Sequence, residues 1–194
     1  MALVESNLEE RKLDLHQLND MWTIYLYTPD YTKDWDSNFS RVAKFSTVEG
    51  FWSVWSGMCL PSKLKSGTDY YLFKNDIFPK WEDEANRHGG RWFIPCDKTN
   101  ADKFFEELML LMIGSYWEND EDDNQICGTA IQVRSRMIKL AVWTAKSSDD
   151  ETVLAIGKKI KHTLEITSQI YYQDVNQQKG STKGKDDMSG IHII

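Results

Sequence analysis

The chain has 194 residues, 41% apolar and 27% charged, with a formal net charge of −7. That length suits one domain with a real core, and no stretch reaches the ~20 apolar residues of a membrane span. An acidic chain lacks the basic surface that backbone-driven nucleic-acid binding needs, so any nucleic acid it holds is a small piece at a local site. The start, Met1-Ala2-Leu3-Val4-Glu5, has no basic region followed by an apolar run, so no signal peptide is expected. Cys59, Cys96 and Cys127 are widely spaced and fit neither a disulfide framework nor a zinc pattern. Together these point to a reducing, intracellular compartment.

Residues 1–20 are polar with scattered leucines and read as a mobile arm. Residues 21–28 alternate, with Trp22, Ile24 and Leu26 on one side, which predicts a strand. A polar loop carrying Trp35 follows, then a second strand over 41–45. Ser46-Thr47-Val48-Glu49 has capping-box spacing and starts a short helix to about Gly57. Residues 69–74 read as a strand, Asn75-Asp76 as a turn, 79–90 as a long polar loop and 91–94 as a short strand. Asn100 to Ile113 predicts a strong helix with Gly114 at its C′ position. Residues 118–124 are acidic and read as a solvated connector. Residues 126–134 and 137–145 form a predicted hairpin. Ser148-Asp149-Asp150-Glu151 is a second capping box, opening a helix with a basic end at Lys158, Lys159, Lys161 and His162. A last strand covers 169–174, and 176–190 has the composition of a flexible segment.

Hairpin-joined strands interrupted by three helices predict an α+β fold with a mainly antiparallel sheet. Three helices cover one sheet face and leave the other to hold a ligand among its loops. The expected organisation is an arm over 1–20, a folded domain over 21–175 and a flexible loop and tail over 176–194.

Eight tryptophans are the chemical signal. Trp35 and Trp81 both sit in polar stretches with no apolar sequence neighbours, and indole suits stacking on a base or facing a delocalised cation. In Trp81-Glu82 a carboxylate adjoins the ring. The Watson–Crick edge of guanine offers two parallel donors that match the two oxygens of one glutamate. The same run serves as readily as a structural anchor. Arg134, Arg136 and Lys139 form a local basic cluster, with Arg134 and Arg136 sharing a strand face by period-two spacing. It is a candidate phosphate site, although this segment alone reads more simply as a solvated hairpin. On the second helix, Phe104, Leu108, Leu111 and Met112 make the apolar face, and Leu110 falls among Lys103, Glu106 and Glu107. On the first, Phe51, Val54, Trp55 and Met58 fill the apolar arc, with Val48 and Trp52 at its edge. A Val–Trp–Leu patch suits a helical peptide partner; a core role for Trp52 fits the pattern equally. No catalytic set appears: His16, His88, His162 and His192 lie far apart, and there is no Gly-rich phosphate loop or nucleophile elbow.

His16-Gln17-Leu18-Asn19-Asp20-Met21-Trp22, Thr47-Val48-Glu49-Gly50-Phe51-Trp52, Trp81-Glu82-Asp83-Glu84, Gly89-Gly90-Arg91-Trp92 and Val133-Arg134 through Ala141-Val142-Trp143 resemble the eukaryotic translation initiation factor 4E family, which binds the mRNA cap. The resemblance runs in order from about residue 16 to 175. It implies a curved antiparallel sheet, backed on its convex face by three helices, with the ligand in the concave face. It implies that Trp35 and Trp81 sandwich 7-methylguanine, that Glu82 accepts its N1–H and N2–H, and that Trp143 touches the N7-methyl group. Arg134 and Lys139 would hold the phosphates, with Arg91 and Arg136 nearby and Lys179 closing over the phosphate chain. On the helical face, His16, Val48, Trp52, Glu107 and Leu110 match positions that bind the 4G scaffold and the 4E-binding inhibitory proteins. Those partners carry a Tyr followed four residues later by Leu and another hydrophobic residue. Gln17 stands where the family usually has Pro, Tyr25 and Phe105 replace frequent tryptophans, and Ser181 is the candidate regulatory serine.

Methylation at N7 makes guanine a delocalised cation, and each facing indole adds roughly 0.5 to 2 kcal/mol. Two indoles give about 1 to 4 kcal/mol, or about fivefold to a thousandfold over unmethylated guanine. The resemblance therefore implies a non-enzymatic protein without a cofactor, monomeric outside its complexes, that binds capped mRNA and recruits the scaffold. The expected location is cytoplasmic, with the nucleus second. Two rivals remain: a cap-binding repressor of the same fold, and an enzyme such as a glycosidase with aromatic platforms and paired acids.

Overall fold

The computed structural model describes residues 15–175 and 192–194. Lys179 and Ser181 lie outside the described residues. The sheet is built from β1 (Gln17–Tyr27), β2 (Phe39–Thr47), β3 (Asp69–Lys74), β4 (Gly90–Cys96), β5 (Ile126–Val133), β6 (Ile138–Thr144), β7 (Tyr171–Asp174) and β8 (His192–Ile193). The helices are α1 (Val48–Gly57), α2 (Ala101–Ile113), α3 (Asp120–Gln125) and α4 (Asp150–Thr163). The strand order is β2-β1-β3-β5-β6-β4-β7-β8, and every pair is antiparallel. The sheet is curved and not closed, as the α+β expectation required. No helix among the described residues is long and apolar enough to cross a membrane.

Strand alternation decides which residues face which layer. On β1, Trp22 and Ile24 are buried among the helices, whereas Tyr25 and Tyr27 face the other side. On β6, Leu140 and Val142 face the helices, and Ala141 and Trp143 point away. Phe51 and Trp55 of α1, Phe105 and Met109 of α2, and Val153 and Ile156 of α4 complete the helix-side core. Gly157 allows α4 to lie against β4, because a Cβ there would sit 2.4 Å from the Trp92 ring. The Trp92 indole N–H donates to the Val153 carbonyl at 3.0 Å and fixes that contact.

Several boundaries differ from the sequence expectations. β1 begins at Gln17, not Met21, because Gln17 pairs with Thr47 of β2. Residues 17–20 are therefore strand and not arm. The acidic connector contains α3, a fourth helix. The Asn119 side chain accepts the Asp122 N–H at 2.8 Å, and acidic residues at a helix start suit its dipole. Both predicted caps move one residue on. Thr47 Oγ1 accepts the Gly50 N–H at 3.0 Å, and Asp149 accepts that of Thr152 at 3.3 Å. Gly114 has φ −82°, and Ser115 at φ 48° takes the left-handed position instead. Asn75 and Asp76 both have positive φ, as a tight turn of those residues permits. The chain end is not all tail, since β8 pairs with β7.

Candidate functional site

On the face away from α1, α2 and α4, a cleft of about 270 Å³ is lined by Trp35, Trp81, Glu82, Arg91, Arg134 and Trp143. Six of the nine predicted cap-site residues thus meet at one place. Trp35 opens a 3-10 turn (Trp35–Asn38) and is 46% exposed. Its ring rests edge-on to Phe39, centroids 4.7 Å apart, and 6.0 Å from Tyr27. Trp81 stacks on Trp143, centroids 3.8 Å apart and planes at 24°. Each indole that looked isolated in sequence gains aromatic support from a different strand.

The loop that carries Trp81 and Glu82 is polar but braced from within. Asn86 is fully buried, and its amide donates to the carbonyls of Phe78 at 2.9 Å and Lys80 at 2.8 Å. Asp83 accepts the N–H groups of Phe78 and Ala85, each at 3.0 Å. Gly89 lets the loop rejoin the sheet, since a Cβ there would lie 1.8 Å from the Thr144 carbonyl oxygen. Glu82 is exposed on the braced loop.

Arg91 lies opposite Trp143 in the β4–β6 register. Its guanidinium carbon is 4.2 Å from the Phe93 ring centre, 4.7 Å from Trp81 and 5.5 Å from Trp143. Burial pushes it down to about 9, and its Nε has no hydrogen-bond partner. It is a cation held by ring faces.

Arg134 and Arg136 do not share a strand face. β5 ends at Val133 and β6 starts at Ile138, so both arginines lie on the hairpin turn. Arg134 reaches back to Asp69 instead. Its Nη1 donates to Asp69 Oδ1, and its Nη2 to Oδ2 at 3.0 Å. Asp69 is 1% exposed and also accepts the Val133 N–H at 3.1 Å. Burial raises the Asp69 carboxyl, while the bond to Asp69 raises Arg134. This bidentate geometry fixes the guanidinium at the cleft. Sequence reasoning missed Asp69, and no local signal marks it. Arg136 lines a neighbouring depression of about 510 Å³, to which Arg134 also contributes. Lys139 lies on β6 opposite Gln132, whose side chain lines the cleft.

The predicted partner residues lie on the helical side. Val48, Trp52 and Leu110 are exposed by 37%, 42% and 36%, whereas Phe51 and Trp55 of α1 are buried. Trp52 is therefore not core. The Trp55 indole N–H donates to Glu106 Oε2 at 2.6 Å, which ties α1 to α2. Glu107 is half-buried, 3.6 Å from Lys103. His16 docks on the start of α1, its Nδ1 2.6 Å from Glu49 Oε1. On α2, Leu108, Leu111 and Met112 are buried as expected, Phe105 and Met109 join them, and Phe104 is only partly buried, so the apolar face is wider than the expected one and centred further round.

Residues 17–189 match the sequence model of eukaryotic initiation factor 4E. The chain belongs to the eukaryotic initiation factor 4E family. It is 38% identical over 170 residues to eukaryotic translation initiation factor 4E-1B of Danio rerio, covering 86% of this chain and 78% of that one. It is 37% identical over 176 residues to the human factor 4E, covering 86% and 80%. Among solved structures, schistosome factor 4E complexed with m7GpppA and a 4E-binding protein superposes with TM-score 0.90. That match is 44% identical and covers 93% of this chain and 100% of the other. Members of this family are initiation factors and not enzymes, which removes the glycosidase reading.

Proposed function

We propose that the cleft binds the 7-methylguanosine cap at the 5′ end of mRNA, and that the helical face recruits a 4G-type scaffold or the 4E-binding proteins that compete with it. The observation that carries this reading is the convergence of Trp35, Trp81, Glu82 and Arg134 on one cleft. They supply what a methylated guanine nucleotide needs: two ring faces for a delocalised cation, a carboxylate for two parallel donors, and a fixed guanidinium for phosphate. Trp143, buried beneath Trp81, borders the place of the N7-methyl group. Lys139 on β6 and Arg136 in the depression next to the cleft supply further positive charge for the phosphates, and Arg91 adds a cation stacked on the rings. An acidic protein holds this small anionic ligand through a local basic cluster, consistent with its overall charge of −7. The exposed Val48, Trp52 and Leu110, beside Glu107, form the surface for the partner helix.

Retention on a 7-methyl-GTP resin tests the assignment. The protein is expected to bind and to elute with free 7-methyl-GTP but not with GTP. Trp81→Ala and Glu82→Ala are each expected to abolish retention. Elution by GTP at the same concentration would overturn it.

A further inference from the structure

Trp35 and Trp81 come from separate loops, and one ion pair joins those loops beside both rings. Lys80 immediately precedes Trp81, Asp36 immediately follows Trp35, and Lys80 Nζ lies 2.6 Å from Asp36 Oδ2. Lys80 also lines the cleft. Below the ion pair the contacts continue. The Lys80 ammonium is 5.4 Å from the Phe78 ring centre. Phe78 is 5.1 Å from Phe39, and Phe39 is 4.7 Å from Trp35. The chain of contacts thus closes on itself, from Trp35 through Phe39, Phe78 and Lys80 to Asp36 and back.

We propose that the Asp36–Lys80 ion pair is a strut between the two tryptophan-bearing loops, making both residues positioning residues for the base-binding cleft. This rests on the function proposed above. Each end is attached to something rigid. The Thr28 N–H donates to the Asn38 carbonyl at 3.0 Å and holds the Trp35 turn to β1. The Lys80 carbonyl accepts from buried Asn86. A typical exposed ion pair contributes little, because fixing two long side chains cancels much of the attraction. Here the Lys80 side chain is 31% exposed and its ammonium is seated over Phe78, so less of its freedom is lost on pairing. The strut does not touch the ligand. It limits how far the two indoles separate, so its effect falls on how long a ligand stays. That effect is screened by salt.

The test is a stopped-flow dissociation series with two probes, 7-methyl-GTP and the phosphate-free nucleoside 7-methylguanosine, and with GTP as the unmethylated control on the wild type. The proteins are the wild type, Asp36→Asn, Lys80→Met and the double variant, at low and high salt. The strut predicts that each single variant releases both probes roughly two- to fivefold faster. It predicts that the double variant is no worse than either single one, and that high salt narrows the difference. If Lys80 instead contacts the phosphates, Lys80→Met alone speeds release, and only of 7-methyl-GTP. That result overturns the strut, as do additive effects in the double variant or no effect in Asp36→Asn. A wild type that does not prefer 7-methyl-GTP to GTP overturns the proposed function and the strut with it. A wild type that discriminates, with all variants unchanged, overturns the strut alone.

Discussion

The indoles of Trp81 and Trp143 stack face to face, with centroids 3.8 Å apart and planes at 24°. Trp143 is 3% exposed, while Trp35 is 46% exposed on its own turn. The three tryptophans of the cleft therefore have unequal structural duties. Trp35→Ala loses the edge-on contact with Phe39 and is expected to cost about 0.5 to 1.5 kcal/mol of stability. It should cost about 0.5 to 2 kcal/mol of 7-methyl-GTP affinity, or about two- to thirtyfold. Trp143→Ala removes a buried ring and is expected to cost about 3 to 5 kcal/mol of stability. Urea unfolding of both variants, beside their cap titrations, separates the two roles.

The buried Asp69 carboxylate gives Arg134 its direction. Removing it leaves a guanidinium at the cleft without its counter-charge, held only by the bond from its Nη1 to the Val133 carbonyl at 2.9 Å. Asp69→Ala is expected to lower stability by about 1 to 3 kcal/mol. It should weaken 7-methyl-GTP binding while changing 7-methylguanosine much less, because only the triphosphate engages Arg134. Equal weakening of both probes would show that Asp69 acts through the fold alone.

Thiol chemistry reads the packing independently. Burial pushes both Cys96 and Cys127 up to about 12, so at pH 8 both remain protonated and enclosed. Cys59 is exposed. A thiol-reactive dye at pH 8 is expected to label only Cys59 in the native protein, and all three cysteines in denaturant.

Trp52 offers a clean separation of the two surfaces. Its ring is 42% exposed on α1, on the helical side of the sheet from the cleft. Trp52→Ala is expected to weaken a peptide carrying Tyr, a four-residue step to Leu and a following hydrophobic residue by 2 kcal/mol or more, roughly thirtyfold. Cap-analogue affinity should be unchanged. Calorimetry with both ligands checks this.

What was legible in the sequence followed period and composition. Alternation placed Trp22 and Ile24 against the helices, and helical spacing put Val48 and Trp52 at the edge of one apolar arc and Leu110 on the polar side of the next helix. What was not legible depends on contacts between distant segments. Asp69 and Arg134 lie 65 residues apart, so nothing local marked their pairing, and the arginines read as a strand face. Asp36 and Lys80, 44 residues apart, were hidden for the same reason. α3 lacks an apolar period and is set by a single Asn119 cap. β8 needs β7 as its partner, and two residues carry no strand signal alone. The aromatic surroundings of Arg91 arise only when β4, β6 and the Trp81 loop come together.

The most direct test of the account is a tryptophan-fluorescence titration of the wild-type protein with 7-methyl-GTP and with GTP under identical conditions. Two indoles facing a methylated base predict strong quenching, with 7-methyl-GTP binding about fivefold to a thousandfold tighter than GTP. Equal quenching at equal concentrations would contradict the assignment of the cleft to the methylated cap.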